Sequence, residues 1–139
     1  TDLLVNAIGN YEGTMLLDVM NDEDTKRLSI KSSGKWEVEL LPFDSVNTAF
    51  VPTTIEGSGD DVILLFGINQ EPDLLRVDAS NASHNFVIWG YGSSVDLLVN
   101  DIAPYSGTIM ITKDLLTDSG DLLLEIKAVG PWKIDVTGR

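Results

Sequence analysis

Residues 2–14 read DLLVNAIGNYEGT and residues 96–108 read DLLVNDIAPYSGT. Nine of the thirteen positions agree. Asp, Leu, Leu, Val, Asn, Ile, Tyr, Gly and Thr recur in register, and self-similarity at a fixed period is the mark of a repeated structural unit. The match resumes downstream, where LSIKSSGKWEVEL at 28–40 parallels LEIKAVGPWKIDV at 124–136. The second copy has gained two residues in between, which places an insertion in the intervening loop.

Both copies close on the same alternation. Trp36, Val38 and Leu40 are separated by Glu37 and Glu39, and Trp132, Ile134 and Val136 by Lys133 and Asp135. A period of two with one apolar set is a strand with one buried and one wet face. Each Trp follows a glycine turn, at Gly34 or Gly130. It reads as the first inward residue of a final strand, its ring in the core and its N–H free to bond at the sandwich end. Short apolar runs broken by Gly, Asn, Asp and Ser continue along the chain, with no sustained helical period. Strands are expected at 2–6, 14–19, 26–32, 61–66, 73–79, 84–91, 95–100, 107–113 and 121–128. Val62 to Phe66 and Phe86 to Trp89 are apolar on both alternating sets, as central strands are. Phe86, Ile88, Trp36, Trp132 and the DLLVN leucines are the expected core.

The fold class that follows is all-β: an antiparallel β-sandwich, Ig-like or jelly-roll-like, built from an internal duplication. Residues 1–43 are the C-terminal half of one unit, 44–60 a Ser-, Thr-, Gly- and Pro-rich connection, and 61–139 a full unit. The second copy has about 35 residues ahead of its DLLVN motif that the first lacks. Three arrangements fit: a chain that continues upstream, one continuous sandwich, or completion by a neighbouring molecule's strands along an unpaired edge.

Composition narrows the function. With 139 residues and 43% hydrophobic content the chain can bury a core, and no run approaches eighteen apolar residues, so no membrane insertion is expected. The first residues lack the basic and apolar regions of a secretory signal. Cysteine is absent, which removes disulfides and thiolate chemistry. The net charge of −13 repels a phosphate backbone, so nucleic acid is not an expected partner. Up to residue 42 there are 8 acids and 4 bases, and beyond it 14 and 5, so both parts are acidic.

Residues 86–136 carry FVIWGYG, DLLVNDIAPYSGT and LLLEIKAVGPWKIDV, with GSGDDV ahead at 57–62. This pattern, F-x-V-x-x, DLLVN, Y-x-G-T and G-x-W-x-I, resembles tandem β-sandwich repeats of uncharacterised secreted or surface proteins of bacteria. The resemblance implies an extracellular or cell-surface, noncatalytic module and brings no activity with it. The first copy has no counterpart of GSGDDV or FVIWG.

No enzyme is expected. There is no G-x-S-x-G elbow, and a catalytic triad would have to recruit the single histidine, His84, which reads as an exposed residue at a strand start. There is no H-E-x-x-H. GSG at 57–59 runs into Asp60 and Asp61 rather than Lys, which suits no phosphate. Resident cofactors are not expected, although calcium fits the oxygen-rich loops holding Asn21, Asp22, Glu23, Asp24, Asp114 and above all Asp60, Asp61, Asp118 and Asp121. Residues 114–125 miss the EF-hand pattern at Leu116 and Gly120, so TDSGD is expected as a hairpin loop. Asp2, Asp96, Asn6 and Asn100 are expected to end strands and shape turns. Tyr11 and Tyr105 read as structural corner tyrosines bonded to backbone, leaving Tyr91, between Gly90 and Gly92, as the expected ligand-contact residue. The function expected is a structural or interaction module of a secreted, surface or virion-like assembly, with protein partners or self-association, polymerising through strand complementation. The alternative is a carbohydrate-binding module assisted by calcium.

Overall fold

The computed structural model describes residues 2–19, 22–68 and 73–137. Among these described residues nine strands, all beyond residue 46, form two sheets: β1 (Asn47–Phe50), β2 (Thr53–Ser58), β3 (Asp61–Phe66), β4 (Asp73–Ala79), β5 (Ser83–Tyr91), β6 (Val95–Ile102), β7 (Tyr105–Ile111), β8 (Leu122–Val129) and β9 (Pro131–Thr137). One sheet runs β1-β3-β8-β5-β6 and the other β2-β9-β4-β7. Every pairing is antiparallel except β1 with β3, which is parallel. The sandwich read from the sequence is therefore present, with one parallel edge.

The core lies where the inner faces meet. Ile63 and Leu65 of β3, Phe86 and Ile88 of β5, and Leu122, Leu124 and Ile126 of β8 face Leu75 and Val77 of β4 and Trp132, Ile134 and Val136 of β9. Each large apolar side chain removed from water in this way stabilises the fold by about 1.5–3 kcal/mol before its ordering entropy is counted. The alternation at the end of the chain is as read: Trp132 is 3% exposed, Ile134 and Val136 are buried, and Lys133 faces solvent. Strands β3 and β5 flank β8, the middle strand, whose residues from Leu122 to Ile126 are all buried. Leu123 and Glu125 of β8 and Val62 of β3 are buried without joining the central core, which marks the outer face of this sheet as covered too.

Four expectations are corrected. The first concerns residues 2–41, whose described residues form no strand: 2–6, 14–19, 26–32 and 36–40 pair with no neighbour as strands, and Leu3, Trp36, Val38 and Leu40 are exposed. The pairing pattern gives the reason. Among the described residues β6 pairs only with β5, β7 only with β4, β8 with β3 and β5, and β9 with β2 and β4. No two of β6 to β9 pair with each other. A half-unit that corresponds to those four strands holds none of its own hydrogen-bonding partners, so its strand-forming pattern has nothing to act on.

Second, residues 44–60 are more than a connection, since a 3-10 turn at Phe43–Ser45 leads into them and they contain β1 and β2. The period of two in β2 is real, but its inward set is Thr53, Ile55 and Gly57, too polar to register as a buried face. Third, Leu97 is exposed and Leu98 only partly buried, leaving Val99 as the buried member of that DLLVN strand, because β6 is an edge. Asp96 and Asn100 lie within this strand on its solvent side, paired with Gly90 and Val87, rather than in turns. Fourth, the TDSGD loop joins β7 to β8, which belong to different sheets, so it is an arch between layers and no hairpin.

Candidate functional site

The GSG motif is built around a tryptophan. A side-chain carbon at Gly57 would stand 2.3 Å from the Trp132 ring, so only glycine lets β2 lie flat against it. Gly59 takes φ +75°, and from that conformation its carbonyl accepts the Trp132 Nε1–H at 2.9 Å. A buried indole thereby keeps its one hydrogen bond, which it needs once removed from water.

Directly after this cradle comes Asp60, where the half-unit and the sandwich meet. The Asp60 carboxylate accepts the Ala128 backbone N–H at 2.9 Å and the Tyr11 hydroxyl at 2.7 Å, and its own carbonyl accepts the Thr14 N–H at 3.0 Å. One side chain thus ties β8 to residue 11. A side-chain carbon at Gly13 would fall 2.5 Å from the Tyr11 hydroxyl and 2.9 Å from Asp60, so the glycine of Y-x-G-T sits beneath its own tyrosine. The second copy repeats this. A carbon at Gly107 would lie 2.4 Å from the Tyr105 hydroxyl, and the Tyr105 ring stacks on Phe86 with centroids 5.8 Å apart. The corner role read for Tyr11 is changed in one respect: its hydroxyl donates to a carboxylate and not to backbone.

Further along the same seam stands Glu125, which is 6% exposed and lies on the outer face of β8. It accepts the Leu16 N–H at 2.9 Å on one oxygen and faces the Tyr91 hydroxyl at 3.4 Å on the other. A carboxylate this buried is costly unless donors meet it, and here one donor comes from the half-unit. Burial, followed by the charge of Glu125 and the contact with it, pushes the Tyr91 phenol up to about 12; the charge of Glu23 adds to the shift. Burial and Asp60, through hydrogen bond and charge, hold the Tyr11 phenol well above the ordinary phenol range.

The expected ligand-contact residue, Tyr91, is half-buried in this seam, its hydroxyl turned to Glu125. The four aspartates named for calcium are not one cluster. Asp61 and Asp60 lie at the start of β3, whereas Asp118 and Asp121 precede β8 at the other end of the sheet, about 16 Å away along five residues of strand. Asp61 accepts the Val62 N–H, and the backbone of Asp121 closes the arch with Thr117. Among the described residues no three His, Cys, Asp or Glu side chains are gathered as a metal would need; Asn21 lies outside the described residues. His84 is exposed, with φ +62°, and its ring meets Ser83. A shallow cleft of about 270 Å³ lined by Glu56, Asp78, Asn81 and Lys133 touches Trp132, but the buried ring offers no stacking face there. Sequence reasoning missed Glu125, since an acid in the alternation of LEIKAV reads as solvent-facing. It also missed the role of Asp60, whose partners are distant in sequence.

No family model matches this chain, and no curated protein matches it. Among solved structures it is similar to the pre-peptidase C-terminal domain of a collagenase from Bacillus anthracis. That likeness has a TM-score of 0.47 and 14% identity, over 66% of this chain and 93% of that one. The sandwich assignment stands on the two sheets themselves.

Proposed function

We propose that this chain is a stretch of a tandem β-sandwich array, a noncatalytic structural or interaction module of a secreted or cell-surface protein. The observation that carries the reading is the half-unit: it repeats the sequence pattern of β6 to β9, joins the next unit through only residues 42–46, and is bound to that unit's sheet by Asp60 and Glu125. Units that follow one another so closely and share hydrogen bonds suit a protein whose task is to space, present or join. Exposed apolar residues on the half-unit, Trp36 and Leu40 among them, are an uncovered face through which chains associate as long as nothing completes it.

Light scattering over a concentration series, with intrinsic fluorescence against a panel of glycans, tests the proposal. The expected result is a mass that grows with concentration and an emission spectrum that glycans leave unchanged. A saturable, glycan-specific change in a chain that stays monomeric would overturn it in favour of carbohydrate binding.

A further inference from the structure

Within that reading, we infer that the partner of residues 2–41 is the five-strand half of a sandwich of the same repeat, equivalent to β1 to β5, placed directly ahead of it in the array. Three observations on this chain converge. Strands β6 to β9 pair only with β1 to β5, so what the half-unit lacks is fully specified by the unit beside it. Trp36, the counterpart of Trp132, is 60% exposed where Trp132 is 3% exposed, and the difference is the missing Gly57–Gly59 cradle on β2. Leu3, Val38 and Leu40, the counterparts of Leu97, Ile134 and Val136, are exposed as well, and the last two of those counterparts are fully buried between the sheets.

Chain connection decides from which side the partner comes. In the full unit β5 passes to its neighbour β6 through three residues, 92–94. A five-strand half ending just ahead of the first DLLVN strand is therefore held at high effective concentration by so short a link. A second copy of this chain is a poor donor, because its own β1 to β5 already hold β6 to β9, joined to them by that link. The apolar residues of the half-unit are thus one face of an interleaved fold, and the repeat boundary falls between residues 41 and 47, just ahead of β1.

The experiment is a graft: residues 42–94 of this protein are fused ahead of Thr1 in the full chain, and Trp36 is followed by fluorescence with Trp132→Phe and with Trp89→Phe in both the resident and the grafted copy. The expected outcome is a monomer in which Trp36 emission moves to the blue, the β signal in circular dichroism rises about twofold as one nine-strand unit becomes two, and a Gly→Ala change at the grafted copy of Gly57 reverses the Trp36 shift. Trp36 remaining water-exposed in a graft whose resident unit is folded would overturn the inference. Burial of Trp36 only in concentration-dependent dimers would also overturn it, assigning the partner to a second copy. Hydrogen exchange on the unaltered chain gives an independent check that does not depend on the graft folding. Amides of Val5, Ile30 and Val38 should exchange about 1,000-fold or more faster than those of Leu124 and Ile134. Equal protection in a monomer would show a half-unit folded without its complement. Glycan binding would remove the functional proposal without touching these outcomes, so the two can fail separately.

Discussion

Gly57 and Trp132 show how closely a single position is constrained in this sandwich. A methyl group at residue 57 would meet the indole at 2.3 Å, within a pair of strands whose register is fixed by six paired residues. Overpacking of this kind costs about 1–3 kcal/mol. Gly57→Ala should therefore lower the melting temperature by roughly 4–8 °C for each kcal/mol lost, seen in the near-ultraviolet circular dichroism of Trp132, while the same change at the exposed Gly34 leaves it unmoved. Tyr91 tests the seam by another route. Its folded-state phenol lies at about 12, above the ordinary value of 10.0, so the folded chain keeps this proton longer than the unfolded one. The corresponding stability is present in full below about pH 10 and is lost as pH climbs through about 12. Absorbance at 295 nm should show a phenolate step near pH 12 that Tyr91→Phe removes, leaving the still later step of Tyr11 in place. Glu125→Gln should move that step toward 10, since the carboxylate charge is one of its causes; an unmoved step would mean that burial alone sets it. The W-x-I alternation announced Trp132 correctly because ring, glycine turn and strand period lie within a few neighbouring residues. Glu125 was illegible for the opposite reason: what buries it arrives from residue 16, and no local period encodes that.

At the level of elements, strand signals and strand formation separate. The same D-L-L-V-N and W-x-I patterns give β6 and β9 in one copy and unpaired chain in the other, because a strand forms only where a neighbour offers its backbone. Strands β3 and β4 fall where the apolar runs place them, and β5, β8 and β9 within a residue or so at either end. Strands β1 and β2 escaped notice since β2 presents Thr53, Ile55 and Gly57 inward, a face shaped by Trp132 instead of by hydrophobicity. The contrast between the halves has a direct measurement. Limited trypsin digestion should cut first after Lys26, Arg27, Lys31 and Lys35, all exposed and outside any strand, and leave a fragment spanning β1 to β9. Cleavage of the sandwich at Lys127 or Lys133 on the same timescale would contradict the division, as both lie in paired strands, each with a neighbour on either side.

For the whole molecule, charge acts against the seam. The half-unit carries 8 acids against 4 bases and the rest of the chain 14 against 5, so the parts repel each other across a contact made by few hydrogen bonds. Screening should close it. The Debye length falls from about 30 Å at 0.01 M salt to about 3 Å at 1 M, and over that range the radius of gyration from X-ray scattering should shrink while the amides of Thr14 and Leu16 gain protection, with the sandwich amides unchanged. Calcium separates screening from site binding. Asp60 and Asp61 stand apart from Asp118 and Asp121, and Asp60 already holds Tyr11 and Ala128. Calcium and magnesium at equal ionic strength should therefore compact the chain alike. A saturable effect of calcium at micromolar concentration, absent with magnesium and removed by Asp60→Asn, would mean that the ion binds between the half-unit and β3 and ties units together where screening only lets them approach.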